Sequence, residues 1–196
     1  MQTFNYYIFL LFVKTFSLLP FKLVYLFSDF MCFIVRNVVR YRRDVVRSNL
    51  SSSFPEKSEK ELKDIEKDFY HLFCDVLLEG IKSYRMSYED ITSRVEFEGI
   101  DLMEAYFKSG KNVIVAAAHS GNWEWMAAVY WQIKIENLVG CEFNRPSKNA
   151  RIDETLLGIR RRLGMITVNK NEPIRPLLKL KRDNKIFGVG LLADQT

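Results

Sequence analysis

The apolar positions of this chain change spacing along its length, and the changes divide it. Residues 1–13 carry no charge and are crowded with Phe, Tyr, Ile and Leu. Lys14, Pro20, Lys22 and Asp29 then interrupt the apolar character. Arg40 to Leu50 reads as a basic helix or turn, broken by Ser51-Ser52-Ser53-Phe54-Pro55. Ser58 and Glu61 have the spacing of a capping box, which predicts a helix start there. Leu62, Ile65, Phe69, Leu72, Phe73, Val76 and Leu77 follow at helical intervals and predict one core-facing stripe, with Gly80 near its end. From Lys111 the pattern becomes short apolar runs. Residues 112–118, 137–143, 166–168 and 186–192 read as strands. Residues 123–133, 150–162 and 174–183 read as helices between them.

Strands alternating with helices predict an α/β layered domain with a largely parallel sheet and helices on both faces. The organisation expected is a hydrophobic membrane-associated anchor over residues 1–35, then a helical segment and the α/β domain within 36–196. No run reaches the length of about 18 uncharged apolar residues that a clean spanning helix needs. The first basic residue follows the apolar run, and no small-residue cleavage site comes after it, which argues against a signal peptide. Three readings of the first segment stay open: an embedded or monotopic anchor, a tilted span with snorkelling lysines, and a buried core helix.

Charge sharpens this picture. The formal net charge is +5 and the isoelectric point is near 9.0. Lys14, Lys22, Arg36, Arg40, Arg42, Arg43 and Arg47 lie close together in sequence, against Asp29 and Asp44. Beside an apolar segment, such a run suits anionic lipid headgroups. The chain has neither zinc-finger spacing nor an RNA-recognition signature, so nucleic acid is not an expected partner. Cys32, Cys74 and Cys141 form no CxxC pair and read as reduced packing residues. With two histidines in the chain, a structural zinc site is not expected. His71, between core positions of its helix, reads as a structural or surface residue.

The corner after the first strand concentrates the chemistry. His119 falls at a strand's carboxyl end, where open α/β sheets bind ligands. The next helix would direct its amino terminus into the same space. Glu124 lies about one turn into that helix, within reach of the imidazole by sequence. A neutral imidazole can deprotonate an alcohol attacking a carbonyl, and a carboxylate on its other nitrogen fixes the tautomer. Gly121 leaves room for a substrate, and the amides of Ser120 to Asn122 offer donors to a developing oxyanion. A histidine followed by a glutamate also occurs by chance, and Glu124 alone suits the first turn of a helix.

His119-Ser120-Gly121-Asn122-Trp123-Glu124 after an apolar strand resembles the histidine, four residues, acid hallmark of the bacterial lipid A biosynthesis lauroyl/myristoyl acyltransferase family, within the broader lysophospholipid acyltransferase group. Leu18-Leu19-Pro20, Arg47-Ser48-Asn49-Leu50 with Phe54-Pro55-Glu56, Asn144-Arg145-Pro146-Ser147-Lys148-Asn149, Arg160-Arg161-Arg162-Leu163-Gly164 and Leu191-Leu192-Ala193-Asp194-Gln195-Thr196 resemble further segments of that family. The resemblance implies a glycerol-3-phosphate-acyltransferase-like sheet and attachment to the bacterial inner membrane, with the site on its cytoplasmic side. It implies an acyl donor on acyl carrier protein and a lipid A precursor as acceptor. His119 would take the proton and Glu124 would support it. Asn122, Arg145, Arg160 and Asp194 are the candidate substrate-binding or organising residues.

Transfer is expected to be direct. There is no GxSxG elbow to supply a serine nucleophile. There is no phosphate-binding glycine loop, and neither metal nor cofactor is expected. The rival readings are an acyltransferase of the same build for a lysophospholipid, glycolipid or aminolipid, and an inactive membrane-associated remnant. Family members normally continue beyond the aspartate-glutamine segment. The resemblance therefore leaves open whether the sequence is a fragment, a truncated reading frame or a short form.

Overall fold

A computed structural model describes residues 2–144, 146–147, 149–172 and 174–194. The chain divides into two compact units, one of Met1–Lys14 with Tyr84–Thr196 and one of Thr15–Ser83. The first helix, α1 (Gln2–Phe16), begins in the larger unit.

The smaller unit is helical. It contains α2 (Phe21–Phe33), a π-helical segment (Ile34–Val39), α3 (Arg43–Ser53) and α4 (Glu59–Lys82). Left-handed backbone at Arg40 and Arg42 separates the π segment from α3, so the basic stretch is a turn followed by a helix, and α3 runs through the serine cluster to Ser53. The capping box at α4 forms as its spacing predicts. The Ser58 hydroxyl accepts from the Glu61 amide, and the Glu61 carboxylate accepts from the Ser58 amide at 2.9 Å.

The predicted stripe of α4 needs correction. Phe69, Leu72 and Leu77 are exposed, while Glu66, Tyr70, Cys74, Val76 and Leu78 are buried. Tyr70 and Cys74 pack with Cys32 of α2, and Leu78 with Phe16 and Val24. A face carrying an acid becomes the buried one because Arg43 and Arg47 of α3 meet the Glu66 carboxylate at 3.2 and 2.9 Å. Two of the basic residues counted above therefore neutralise an internal carboxylate. All three cysteines are buried and free, and burial raises the Cys74 and Cys141 thiols to about 11, which suits packing. His71 faces Asp29 at 3.4 Å.

The larger unit holds α5 (Tyr88–Thr92), α6 (Ile100–Lys108), β1 (Val113–Ala117), a 3₁₀ turn (Trp123–Ala128), α7 (Val129–Gln132), β2 (Leu138–Asn144), α8 (Ala150–Arg162), β3 (Met165–Asn169), α9 (Ile174–Arg182) and β4 (Ile186–Leu192). The four strands are all parallel, in the order β1-β4-β2-β3. The mixed α/β architecture with a parallel sheet is thus as the alternating pattern predicts. One expected helix differs. Of residues 123–133, Trp123–Ala128 form a six-residue 3₁₀ turn and Val129–Gln132 a four-residue α-helix, and Ile133 is already extended. Their short combined dipole offers less to an anion than the long helix expected.

Alternation along the strands sorts the two faces of the sheet. Val139, Cys141 and Phe143 of β2 share one face with Phe187, Val189 and Leu191 of β4 and with Val168 of β3. Leu177 and Leu180 of α9 cover that face. The opposite face is unusual in being stripped of side chains at its centre. Gly140 pairs with Gly188, and Gly190 stands beside Val115 and Glu142. Tyr130 lies against the glycine pair, where a β-carbon at Gly140 would stand 2.8 Å from its ring. Among the described residues, no helix is long and apolar enough to cross a membrane.

Candidate active site

Register builds the first half of the site. Ala117, the last residue of β1, pairs with Leu192, the last of β4. The ladder continues through the Ala193 amide to the Ala117 carbonyl at 2.9 Å. Two residues beyond each strand end, His119 and Asp194 therefore stand side by side. The His119 amide donates to Asp194 Oδ2 at 2.9 Å, and its Nδ1 lies 2.7 Å from Oδ1. Both side chains are about one-third exposed.

These contacts fix the state of the imidazole. The hydrogen bonds from the His119 backbone and side chain hold the Asp194 carboxyl below its ordinary value. An ionised carboxylate only accepts, so Nδ1 carries a proton, and the neutral tautomer this contact selects is the one with its lone pair on Nε2. Trp123 meets the imidazole edge to face, with ring centroids 5.0 Å apart, and limits its rotation.

Glu124 occupies a different network. Arg160, in the last turn of α8, donates from Nε to Glu124 Oε2 at 2.9 Å and from Nη2 to Oε1 at 2.6 Å. The same guanidinium reaches Asn144 Oδ1 at 3.3 Å and lies 3.4 Å from Glu142 Oε1. Thr167 donates to that Glu142 oxygen at 3.2 Å. The partner that sequence spacing assigned to the imidazole is thus held by an arginine. Among the described residues, Asp194 takes the place on Nδ1.

Asn122 precedes the 3₁₀ turn, and its carbonyl accepts the Trp125 amide at 3.2 Å. Arg145 lies outside the described residues. Sequence reasoning missed Glu142, Asn144 and Thr167. Glu142 and Asn144 alternate with Cys141 and Phe143 on β2, which places them on the open face, but only the strand order brings Arg160 to them.

Burial raises the Glu142 carboxyl above its ordinary value, with Arg160 opposing and Glu124 adding to the rise. An acid raised in the folded state stabilises it fully below its unfolded value of about 4.3 and loses that contribution as pH rises through the native value. The melting temperature of the wild type relative to Glu142→Gln should therefore fall as pH rises across the carboxylate range. Thermal melts at pH values from about 4 to 7 check this. A difference that grows with pH would mean that Arg160 favours the ionised form over burial.

Next to this network lies a cavity of about 360 Å³, within the size range of small-ligand sites. Ile100, Met103, Val115, Met126, Tyr130 and Met165 give it mostly apolar walls, and Glu124, Glu142 and Arg160 line one side. Trp123 belongs both to the cavity wall and to the surroundings of His119. Leu192, also in the wall, is two residues from Asp194. The imidazole and its carboxylate therefore stand beside an apolar chamber, next to the strand ends that form part of its wall. Among the described residues, no cluster of His, Cys, Asp and Glu could hold a metal ion.

No curated protein matches the chain. The family model for bacterial lipid A biosynthesis acyltransferase matches residues 1–196. The chain, which sets an oriented imidazole beside an apolar chamber, belongs to the bacterial lipid A biosynthesis acyltransferase family.

Proposed function

We propose that this protein moves a fatty acyl group from an acyl carrier protein thioester to a hydroxyl of a lipid A precursor, at the cytoplasmic side of the bacterial inner membrane. The observation that carries this reading is the His119–Asp194 pair beside the apolar cavity. His119 Nε2 takes the acceptor's hydroxyl proton as the oxygen attacks the thioester carbonyl. The new C–O bond forms and the C–S bond breaks. The departing thiolate takes the proton from the imidazolium, which returns the base to its starting state. Asp194 keeps Nδ1 protonated and stabilises the transient cation. The cavity takes the acyl chain, whose burial contributes binding along its length. Arg160 holds Glu124 and Glu142 as one wall of that chamber and does not meet the substrate as a lone cation.

Apolar surface supports contact with a bilayer. On α1, Phe4, Ile8 and Leu11 are exposed at helical spacing, and on α2 so are Leu26, Phe30 and Phe33. Such stripes suit helices lying in the membrane interface. Lys22 beside Leu23 and Leu26 would meet anionic headgroups.

The test uses the full chain in mixed micelles with acyl carrier protein loaded with a radiolabelled acyl chain and two acceptors, a lipid A precursor and a lysophospholipid. Label should enter the lipid A precursor. Label entering only the lysophospholipid would overturn the acceptor, and label entering neither would overturn acyl transfer.

A further inference from the structure

The geometry points to Tyr130 as the plug that sets how long an acyl chain the cavity admits. This inference rests on the acyl-transfer reading above and adds the residue that selects the donor.

Strand register locates the plug. On the open face of the sheet, three cross-strand rows lead away from the site. The first, at the strand ends, has Ala117 and Leu192. The second has Val115, Gly190 and Glu142, and the third Val113, Gly188 and Gly140. Leu192 of the first row and all of the second row line the cavity, whereas no residue of the third row does. Tyr130 covers that row. A β-carbon at Gly140 would stand 2.8 Å from Tyr130 Cδ2 and 2.7 Å from Met165 Sδ. One at Gly188 would overlap the Tyr130 hydroxyl and stand 2.8 Å from Cε1. The paired glycines form a recess, and the phenol ring fills it. Tyr130 and Met165 both line the cavity and lie between it and the glycine row it does not reach.

The hydroxyl strengthens the case. Tyr130 Oη is buried and has no hydrogen-bond partner among the described residues. A buried hydroxyl without a partner costs free energy that a phenylalanine would avoid. What the tyrosine adds over phenylalanine is reach across the sheet to Gly188.

Removing the plug should expose one further row, two residues deep, which lengthens the chamber by about 7 Å. That is room for several methylene groups. One methylene in an apolar pocket changes discrimination roughly tenfold or more, so the effect should be large.

The experiment compares wild type, Tyr130→Ala, Tyr130→Phe and Gly188→Ala. Each is given acyl carrier protein loaded with saturated chains from octanoyl to stearoyl. Binding of the matching free fatty acids is measured in parallel. Tyr130→Ala should move the optimum to longer chains, with at least a roughly tenfold change in the long-to-short ratio. Gly188→Ala should push the ring into the chamber and move the optimum to shorter chains. Tyr130→Phe keeps the ring in the recess and loses only the reach to Gly188, so its optimum should lie between those of wild type and Tyr130→Ala.

Unchanged optima in both Tyr130→Ala and Gly188→Ala would overturn the plug. If Tyr130→Ala does not fold, Gly188→Ala and Tyr130→Phe still decide. Fatty-acid binding that shifts as expected, without transfer by the wild type, would uphold the plug and overturn acyl transfer instead.

Discussion

Replacing His119 by alanine should lower kcat for acyl transfer by roughly 10²- to 10⁴-fold, the usual contribution of a positioned general base. KM for the acyl donor should change little, because the imidazole is not part of the wall of the cavity proposed to take the chain. Asp194→Asn should cost a comparable factor by another route. The carboxylate keeps the proton on Nδ1, and an amide can donate as well as accept. With the asparagine NH₂ turned to Nδ1, the imidazole proton moves to Nε2 and blocks the base. The expected signature is a loss in kcat with the donor KM preserved. Asp194 is held below the ordinary carboxylate range by its bonds from His119, so it stays ionised on mild acidification. Any loss of the wild-type rate above that range is therefore not protonation of Asp194. Steady-state kinetics of both variants and of Glu124→Gln separate the assignments. A large kcat loss in Glu124→Gln, with Asp194→Asn at wild-type rate, would return the orienting role to Glu124.

That pairing shows where the sequence can be read and where it cannot. The strand bearing His119 and the strand leading to Asp194 are both legible from short apolar runs. So are the bounds of α8 and β4, and the capping box of α4, because local chemistry fixes them. The neighbour relation between β1 and β4 is not local. Nothing in residues 113–117 says that their partner lies seventy-five positions on and not in the next strand. His119 therefore looked for its acid within reach along the chain and found Glu124, while the sheet supplies Asp194. The same reason hid the network around Arg160, which joins α8, β2 and the 3₁₀ turn. On α4 the missed signal was chemical. Glu66 carries no apolar signal, and it is buried because two arginines of α3 close on it. The glycines of β2 and β4 could have hinted at the recess, since glycine within a strand often marks a close approach. The ring that fills it comes from a helix whose docking the sequence does not reveal.

Arg160→Met should be the most destabilising single change at the site. Arg160, Glu124 and Glu142 each keep only about a quarter or less of their side-chain surface exposed. Removing the guanidinium leaves two carboxylates facing one another with little water. Breaking a buried ion pair costs about 3–5 kcal/mol, and the remaining exposure here lowers the expectation to about 2–3 kcal/mol. Urea denaturation of the larger unit's transition measures it. Arg161 provides the comparison from the next position on α8. It pairs with Glu154, and both side chains are more than half exposed. Arg161→Met should change stability by no more than about 0.5 kcal/mol. The cause can also be separated from lost packing of the arginine stem. If repulsion between the carboxylates is the source, Glu124→Gln should recover stability in the Arg160→Met background while costing stability in the wild type. This opposite sign is a coupling that packing alone does not produce. Additive losses in the double variant, or equal effects at Arg160 and Arg161, would mean that Arg160 is a solvated helix-end cation and that Glu124 needs no partner to remain in the cavity wall.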